Sequence, residues 1–444
     1  MAKNYLKRSI DDVLITWSRQ EEHKPVLLRG ARQVGKSSSV RELSKHFEHF
    51  IEVNFEKEKE VHPVFSSDLS PQKICRKLSV HYRVPVAPGK TLLFLDEIQA
   101  CPNAISSLRF FYEDYPELHV IAAGSLLEFA LENLPSFGVG RIKSLFMYPF
   151  SFGEFMAACG EKQLWEEICE ASPKNPLYDL FHSKAKEYLK QFLIIGGMPA
   201  AVAAYVKNFD ILACQEVLDD LINSLKSDFT KYSQRVPEVR IATVFNSVVQ
   251  QIGGKFTYAK IGQEYNHRQL KESLALLQKS GLVIPVVHSA AAGIPLGAQI
   301  NPQKQKMLLL DTAILQRLSG LPLSPLLLND DFSVINKGSV AELFVGLELL
   351  KAYPSNWNPQ LYYWQREKPG SLAEVDYVIQ KNEAIVPIEV KSGTTGAMQS
   401  LHLFLKEKNI ACGVRTSLEN FAQYNAIKVI PLYAISHVLK KNLV

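Results

Sequence analysis

The sequence is poor in cysteine, and none of it has a chemistry-bearing spacing. The six cysteines, Cys75, Cys101, Cys159, Cys169, Cys214 and Cys412, form no C-x-x-C pair and no Cys/His cluster of zinc spacing. They read as buried thiols in a reducing compartment, not as a disulfide scaffold. Long hydrophobic runs are also missing. The longest, Phe192–Val206, is interrupted by Gly196, Gly197 and Pro199 and falls short of the ~20 residues a membrane helix needs. The opening MAKNYLKRSIDDVLITW carries charges where a signal peptide needs an apolar stretch. No sign of charge dominates: 50 Lys and Arg stand against 45 Asp and Glu, a net +5, which permits nucleic-acid binding without arguing for it. Internal repeats and low-complexity segments are absent. The expectation is a soluble cytoplasmic protein with no membrane partner, and 444 residues suggest two to four domains.

What is present begins with alternation. Val26–Leu28, Ile51–Phe55, Thr91–Leu95 and His119–Ala123 are short apolar runs separated by helical stretches, after a helix over about residues 4–19. That order predicts an α/β fold with a parallel sheet covered by helices. Residues 151–235 carry helical periodicity. Residues 240–288 read helix (Ile241–Ile252), helix (Tyr258–Tyr265), helix (His267–Ser280) and strand (Leu282–His288), followed by a loop-like stretch over 288–306. A helix over Ser339–Tyr353 opens a mixed α/β region that runs to the end.

The segment VLLRGARQVGKSSS passes from strand into glycine loop, with Gly30 followed after four residues by Gly35-Lys36-Ser37. This is the GxxxxGKS spacing of a P-loop. Glycines let backbone N–H groups curl around phosphate oxygens, and the helix that follows adds positive potential. Gly30, Ala31, Arg32, Gln33, Val34, Gly35, Lys36, Ser37 and Ser38 are therefore the expected ATP-binding residues. Lys36 would reach the β- and γ-phosphates and the Ser37 hydroxyl would ligate Mg²⁺. In TLLFLDEIQ a buried strand ends in Asp96-Glu97. Asp96 is expected to hold Mg²⁺ through water, and Glu97 to orient or deprotonate the attacking water. At the next strand tip, Ser125 either meets the γ-phosphate or the attacking water, or simply makes a turn. Arg141 either stabilises transition-state charge, in its own subunit or a neighbour's, or is a surface arginine.

Near the other end, EVDYVIQ and AIVPIEVK flank Lys381-Asn382-Glu383. A hairpin closing there pairs residues whose numbers sum to about 765. Asp376 then faces Glu389 and Glu374 faces Lys391, with Glu389 and Lys391 on one strand face. Glu342 lies upstream in a helix. Helix Glu, strand Asp, then Glu-x-Lys resembles the PD-(D/E)XK phosphodiesterases. That resemblance implies Mg²⁺ or Mn²⁺ held by Asp376 and Glu389, with Glu342 helping and Lys391 stabilising the nucleophile. The other reading of the same face is a salt-bridged hairpin. The helix at 267–280 resembles the third helix of a winged helix-turn-helix, with Arg268, Lys271, Gln278 and Lys279 outward and Lys255 and Lys260 adding charge. It either meets DNA or is a solvated face.

The order R-G-A-R-Q-V-G-K-S, L-F-L-D-E-I-Q, A-A-G-S and G-R…Y-P-F-S-F-G-E-F, with K-M-L-L-L-D-T-A-I-L, G-S-V-A-E-L-F-V and E-V-D-Y-V-I…V-P-I-E-V-K-S further on, resembles a family of bacterial and archaeal AAA-type ATPases. In that family the ATPase is followed by a domain long called of unknown function. The resemblance spans about residues 5–400. The chain is thus expected to hold an AAA-type P-loop core (1–150), a helical lid (151–235), a winged-helix part (236–325) and a restriction-endonuclease-like part (326–444). The expected function is ATP hydrolysis coupled to binding or remodelling of DNA, with metal-dependent cleavage, in a homo-oligomer. The alternative is an ATP-dependent switch whose C-terminal part is a non-catalytic docking or nucleic-acid-binding module.

Overall fold

The computed structural model describes residues 5–66, 68–125, 127–132, 140–232, 236–320, 338–368, 370, 373–394 and 396–440. The chain divides into two compact units, Met1–Pro149 with Ser355–Asn358, and Phe150–Pro354 with Pro359–Val444.

The first unit is built on five parallel strands, β1 (Val26–Arg29), β2 (His49–Asn54), β3 (Thr91–Asp96), β4 (His119–Ala123) and β5 (Lys143–Phe146), in the order β2-β3-β4-β1-β5. Strands β3 and β4 are buried along their whole length. This explains their unbroken apolar sequence: helices cover both faces of a parallel sheet, so no face is left for polar residues. Because all five strands are parallel, every strand end that follows β1, β3 and β4 lies on one edge of the sheet. The first strand ends there in Gly30, whose φ is 144°. A Cβ at Gly30 would stand 2.1 Å from the Met147 carbonyl oxygen, so only glycine allows this approach. The initial helix, Ser9–Ser18, is shorter than expected. The buried Arg8 before it donates to the carbonyls of Val34 (3.0 Å) and Tyr148 (2.7 Å), and so braces the glycine loop.

At the opposite edge, His119 at the start of β4 stacks on His23, ring centroids 3.9 Å apart, with Trp17 edge-on to both. His119 Nε2 donates to the Ser18 carbonyl. Burial, with His23 beside it, pushes the His119 pKa down to about 4. The folded chain therefore keeps this ring neutral where the unfolded chain protonates it, near the ordinary histidine value of about 6.5. The unfolded state binds more protons between those two values, so stability rises with pH across that window. Acidification from about 6.5 toward 4 should lower the melting temperature of wild type more than that of His119→Asn. Equal pH dependence of the two melting curves would refute the neutral-ring account.

The second unit carries helices over Phe152–Ala158, Lys162–Glu170, Asp179–Ile195, Pro199–Asn208 and Ile211–Ser227, then Glu238–Gln251 and His267–Lys279. Its eight strands are β6 (Val283–Ser289), β7 (Ile300–Leu309), β8 (Leu361–Gln365), β9 (Glu374–Lys381), β10 (Ala384–Val390), β11 (Gly413–Ser417), β12 (Ala422–Tyr424) and β13 (Ile427–Pro431), in the order β12-β13-β11-β10-β9-β8-β6-β7. Two of the quoted sequence signatures have structural work here. Ser151 caps the helix Phe152–Ala158 in a capping box with Glu154. The fully buried Asp311 caps the helix Thr312–Leu318 and also accepts the Gly197 N–H at 2.6 Å. A Cβ on Gly196 would meet that carboxylate at 2.1 Å.

Two sequence expectations are corrected in this unit. Tyr258–Tyr265 is no helix but a 3₁₀ turn, Tyr258–Ile261, ended by Gly262 at φ 110°. The stretch 288–306 is a loop only over 290–299: its ends belong to β6 and β7, which pair from Ser289↔Ile300 to Val283↔Leu309. Strand β7 lies at the sheet edge, where Pro302 deprives no neighbour of a donor. Through β6, which pairs with β8 (Val286↔Leu361), this hairpin belongs to the same sheet as β9 and β10. The boundary expected at 325/326 falls outside the described residues.

Candidate nucleotide site and acidic cluster

At the carboxyl edge of the first sheet the helix Lys36–Ser44 starts from Gly35, which is left-handed at φ 102°. The Lys36 ammonium is buried and donates to the carbonyls of Gly30 and Ala31, both at 2.8 Å. Two of its three N–H groups are thus used and one remains. Burial pushes its pKa down to about 8, against the opposing pull of Glu97 and Asp96. The Ser37 hydroxyl lies 3.0 and 3.2 Å from the two oxygens of Asp96. Asp96 is buried at the end of β3, and its pKa is raised by desolvation and by Glu97. An oxygen-only pair of hydroxyl and carboxylate suits a hard divalent cation. Asn54, at the end of β2, also reaches Asp96, at 3.4 Å.

Glu97 sits at φ 48°, a conformation that costs a non-glycine residue energy and that recurs at working sites. Its Oε2 accepts from Gln99 Nε2 at 2.6 Å and from Ser125 Oγ at 3.3 Å. Ser125, read from the sequence as a phosphate or water contact or a plain turn, here holds the Glu97 carboxylate. Gln99 was not foreseen, although it stands in the same D-E-I-Q stretch. Gly124 makes room for it, since a Cβ there would lie 2.1 Å from Gln99 Oε1.

Arg141 is not brought to this site. It precedes β5, whose first residue Lys143 pairs with Val26 at the start of β1, and it donates to Glu113 near the end of the helix Pro102–Asp114. That helix runs back from the carboxyl end of β3 toward the start of β4. Arg141 therefore lies at the amino edge, about 10 Å of strand away from its own glycine loop. Its side chain is engaged there with Glu113 and not with the glycine loop.

In the second unit β9 and β10 pair in the expected register, from Lys381↔Ala384 to Tyr377↔Ile388. Asp376 Oδ2 accepts the Val390 N–H at 2.8 Å, and Lys391 Nζ donates to Glu389 Oε1 at 2.7 Å. The helix Gly338–Ala352 brings Glu342, fixed by Tyr377 donating to the Glu342 carbonyl at 2.7 Å. Between these acids lies a residue from the stretch that the sequence alone reads as a loop. Lys306 of β7 is buried, pairs with Glu374, and stands 3.3 Å from Glu342 Oε2 and 3.6 Å from Asp376 Oδ1. Burial alone would lower its pKa, but the three carboxylates outweigh it and hold the ammonium charged. Burial and Asp376 push Glu342 up, with Lys306 opposing. Burial and Asp376 likewise raise Glu389, with Lys391 opposing. Burial is the larger cause of both upward shifts, and the surplus of acids around one ammonium adds to it. The arrangement does not fit the metal expected at Asp376 and Glu389, because three of their four carboxylate oxygens face Lys306, Lys391 or a backbone N–H. Among the described residues no group of three His, Cys, Asp or Glu is placed to hold a metal ion.

On the helix His267–Lys279, Arg268 and Lys271 are exposed and Gln278 and Lys279 half-buried, and Lys255 and Lys260 are exposed nearby in the chain. Arg268 also pairs with Glu272 at 3.3 Å. The described residues include no helix long and apolar enough to cross a membrane.

Residues 22–156 match a family described as an AAA domain. Residues 186–324 and 337–435 match two families described as domains of unknown function, DUF8612 and DUF4143. A search of the curated proteins finds no match. Among solved structures, the chain is similar to the Walker-type ATPase PABY2304 of Pyrococcus abyssi, at 16% identity over 72% of this chain and 97% of that one, with a TM-score of 0.46. It is also similar to Cdc6p from Pyrobaculum aerophilum (14% identity, 64% and 89% covered, TM-score 0.25) and to the Drosophila ORC bound to DNA (14%, 70% and 84%, 0.28).

Proposed function

We propose that this chain, whose first unit is an AAA-type P-loop ATPase domain, couples ATP hydrolysis there to nucleic-acid binding by its second unit. The observation that carries the hydrolytic part is the arrangement at the carboxyl edge: Lys36, Ser37 against Asp96, and Glu97 held by Gln99 and Ser125. The loop amides from Gly30 to Ser38 would bind phosphate oxygens, and the remaining Lys36 N–H would meet the β- and γ-phosphates. Ser37 and Asp96 would hold Mg²⁺, which when bound offsets phosphate charge. Glu97 would orient the attacking water and take its proton. Gln99 and Ser125 are positioning residues that fix which way Glu97 points.

The nucleic-acid part rests on the exposed basic residues of the helix His267–Lys279, with DNA the expected partner. The test is the ATPase rate with and without DNA. Stimulation that disappears in Arg268→Ala/Lys271→Ala supports the coupling, and a rate indifferent to duplex, forked and single-stranded DNA contradicts it.

Arg141 belongs to a neighbour's site in this proposal, and the protein to a homo-oligomer. Arg141→Ala should reduce turnover by about 10³-fold, the low end for an arginine that acts on transition-state charge, with ATP affinity little changed. A monomer with full activity in the presence of ATP would contradict it. For the C-terminal part, Lys306 among the acids favours the second sequence reading, a module that binds without cleaving.

A further inference from the structure

We propose that Lys306 is the resident cation of the acid cluster: its ammonium holds the position among Glu342, Glu374 and Asp376 that a divalent metal would require. The cluster is then a metal-independent latch tying β7, β9 and the helix Gly338–Ala352 together. This assignment rests on the non-cleaving reading of the C-terminal part, and it is tested by metal binding instead of cleavage.

The oxygens decide it. A metal-dependent phosphodiesterase site needs carboxylate lone pairs turned toward one point that water can also reach. Here Glu342 Oε2, Glu374 Oε1 and Asp376 Oδ1 all face Lys306 Nζ. The other Asp376 oxygen accepts the Val390 N–H, and Glu389 Oε1 accepts from Lys391. Of the two residues expected to hold a metal, Asp376 has both oxygens turned to partners in the chain and Glu389 has one, its Oε2 being buried and without a hydrogen-bond partner. A divalent ion inside this set would also lie a few ångströms from a buried ammonium, where like charges repel strongly.

Nor can Lys306 readily step aside. Its backbone is paired with Val286 in β6, its side chain is buried, and its ammonium lies 5.5 Å from the centre of the Tyr363 ring, within cation–π range. The charge gathered from helix and hairpin thus has its counter-ion within the chain. The sequence alone suggested a missing cation because β7 was not legible as a strand.

The test is Mn²⁺ binding to the full-length, nucleotide-free protein, followed by electron paramagnetic resonance. Wild type and Asp376→Asn should bind the same number of Mn²⁺ ions with the same affinity, since any ion near Ser37 and Asp96 is common to both. Loss of one bound ion in Asp376→Asn would overturn the assignment. In a second arm, Lys306→Met keeps the length of the side chain and removes its charge. Mn²⁺ should then raise the melting temperature by about 5 °C or more beyond any rise it causes in wild type, and this extra rise should vanish when Asp376→Asn is added. A folded Lys306→Met that gains no Asp376-dependent ion would also overturn the assignment. If Lys306→Met does not fold without metal, the first arm still decides. DNA cleavage by a wild type that lacks an Asp376-dependent ion would overturn the non-cleaving reading while supporting the role of Lys306.

Discussion

Glu97→Gln is expected to bind ATP as wild type does and to hydrolyse it about 10²- to 10⁴-fold more slowly, the range lost with a general base. The change is nearly isosteric, so the strained turn at φ 48° and the Gln99 and Ser125 contacts can persist. What disappears is the ability to accept a proton from water. Lys36→Ala should differ in kind. It removes the ammonium that neutralises phosphate charge, so nucleotide binding itself should fail. The two variants together separate binding from chemistry when equilibrium binding of a fluorescent ATP analogue is measured beside phosphate release. Normal hydrolysis by Glu97→Gln would remove the role given to Glu97.

Lys306→Ala is expected to destabilise the second unit by about 3–5 kcal/mol, the usual loss when one partner of a buried ion pair is deleted. The cause is what remains behind: Glu342, Glu374 and Asp376 facing each other with no counter-ion. Neutralising one of these acids should therefore repair part of the damage. Glu374→Gln placed in the Lys306→Ala background should recover stability, although Glu374→Gln alone removes an ion pair. Such coupling is what neighbouring charges show in a double-mutant cycle. Urea unfolding of the four proteins measures it. Additive losses would mean that Lys306 does not serve these acids jointly.

The legible parts of the sequence were those in which local chemistry and spacing agree. The glycine loop, the buried strand ending in Asp96-Glu97 and the β9–β10 register all follow from patterns within twenty residues. The turn at Lys381-Asn382-Glu383 fixes its own pairing, because a strand has a period of two and one slip would reverse both faces. Strand β5 escaped notice because four residues, Lys143–Phe146, carry too little pattern to stand out. Strand β7 escaped because its first part, Ile300–Gln305, is mostly polar, is half-buried or exposed, and contains Pro302, which suits an edge strand and reads as a loop.

Both missed site residues share one difficulty. Lys306 and Gln99 matter because of partners that only the fold supplies. Lys306 lies 36 residues from Glu342 and more than 60 from Glu374 and Asp376, and it meets all three only once β6 joins β8. Gln99 is two residues from Glu97, but its reach depends on Gly124 being too small to block it. Arg141 shows the opposite case. Its position after Gly140 was consistent with either subunit's nucleotide or with a plain surface arginine, and the parallel pairing of β5 with β1 puts it at the amino edge beside Glu113.

The central claim is that Lys36, Ser37, Asp96 and Glu97 form a working hydrolytic site, and phosphate release from ATP tests it most directly. With Mg²⁺ present, wild type should turn over ATP repeatedly, Lys36→Ala should release none above background, and chelating the metal should stop the wild-type reaction. A wild type that releases no phosphate with or without DNA, or one whose release is unchanged by Lys36→Ala, would contradict the account.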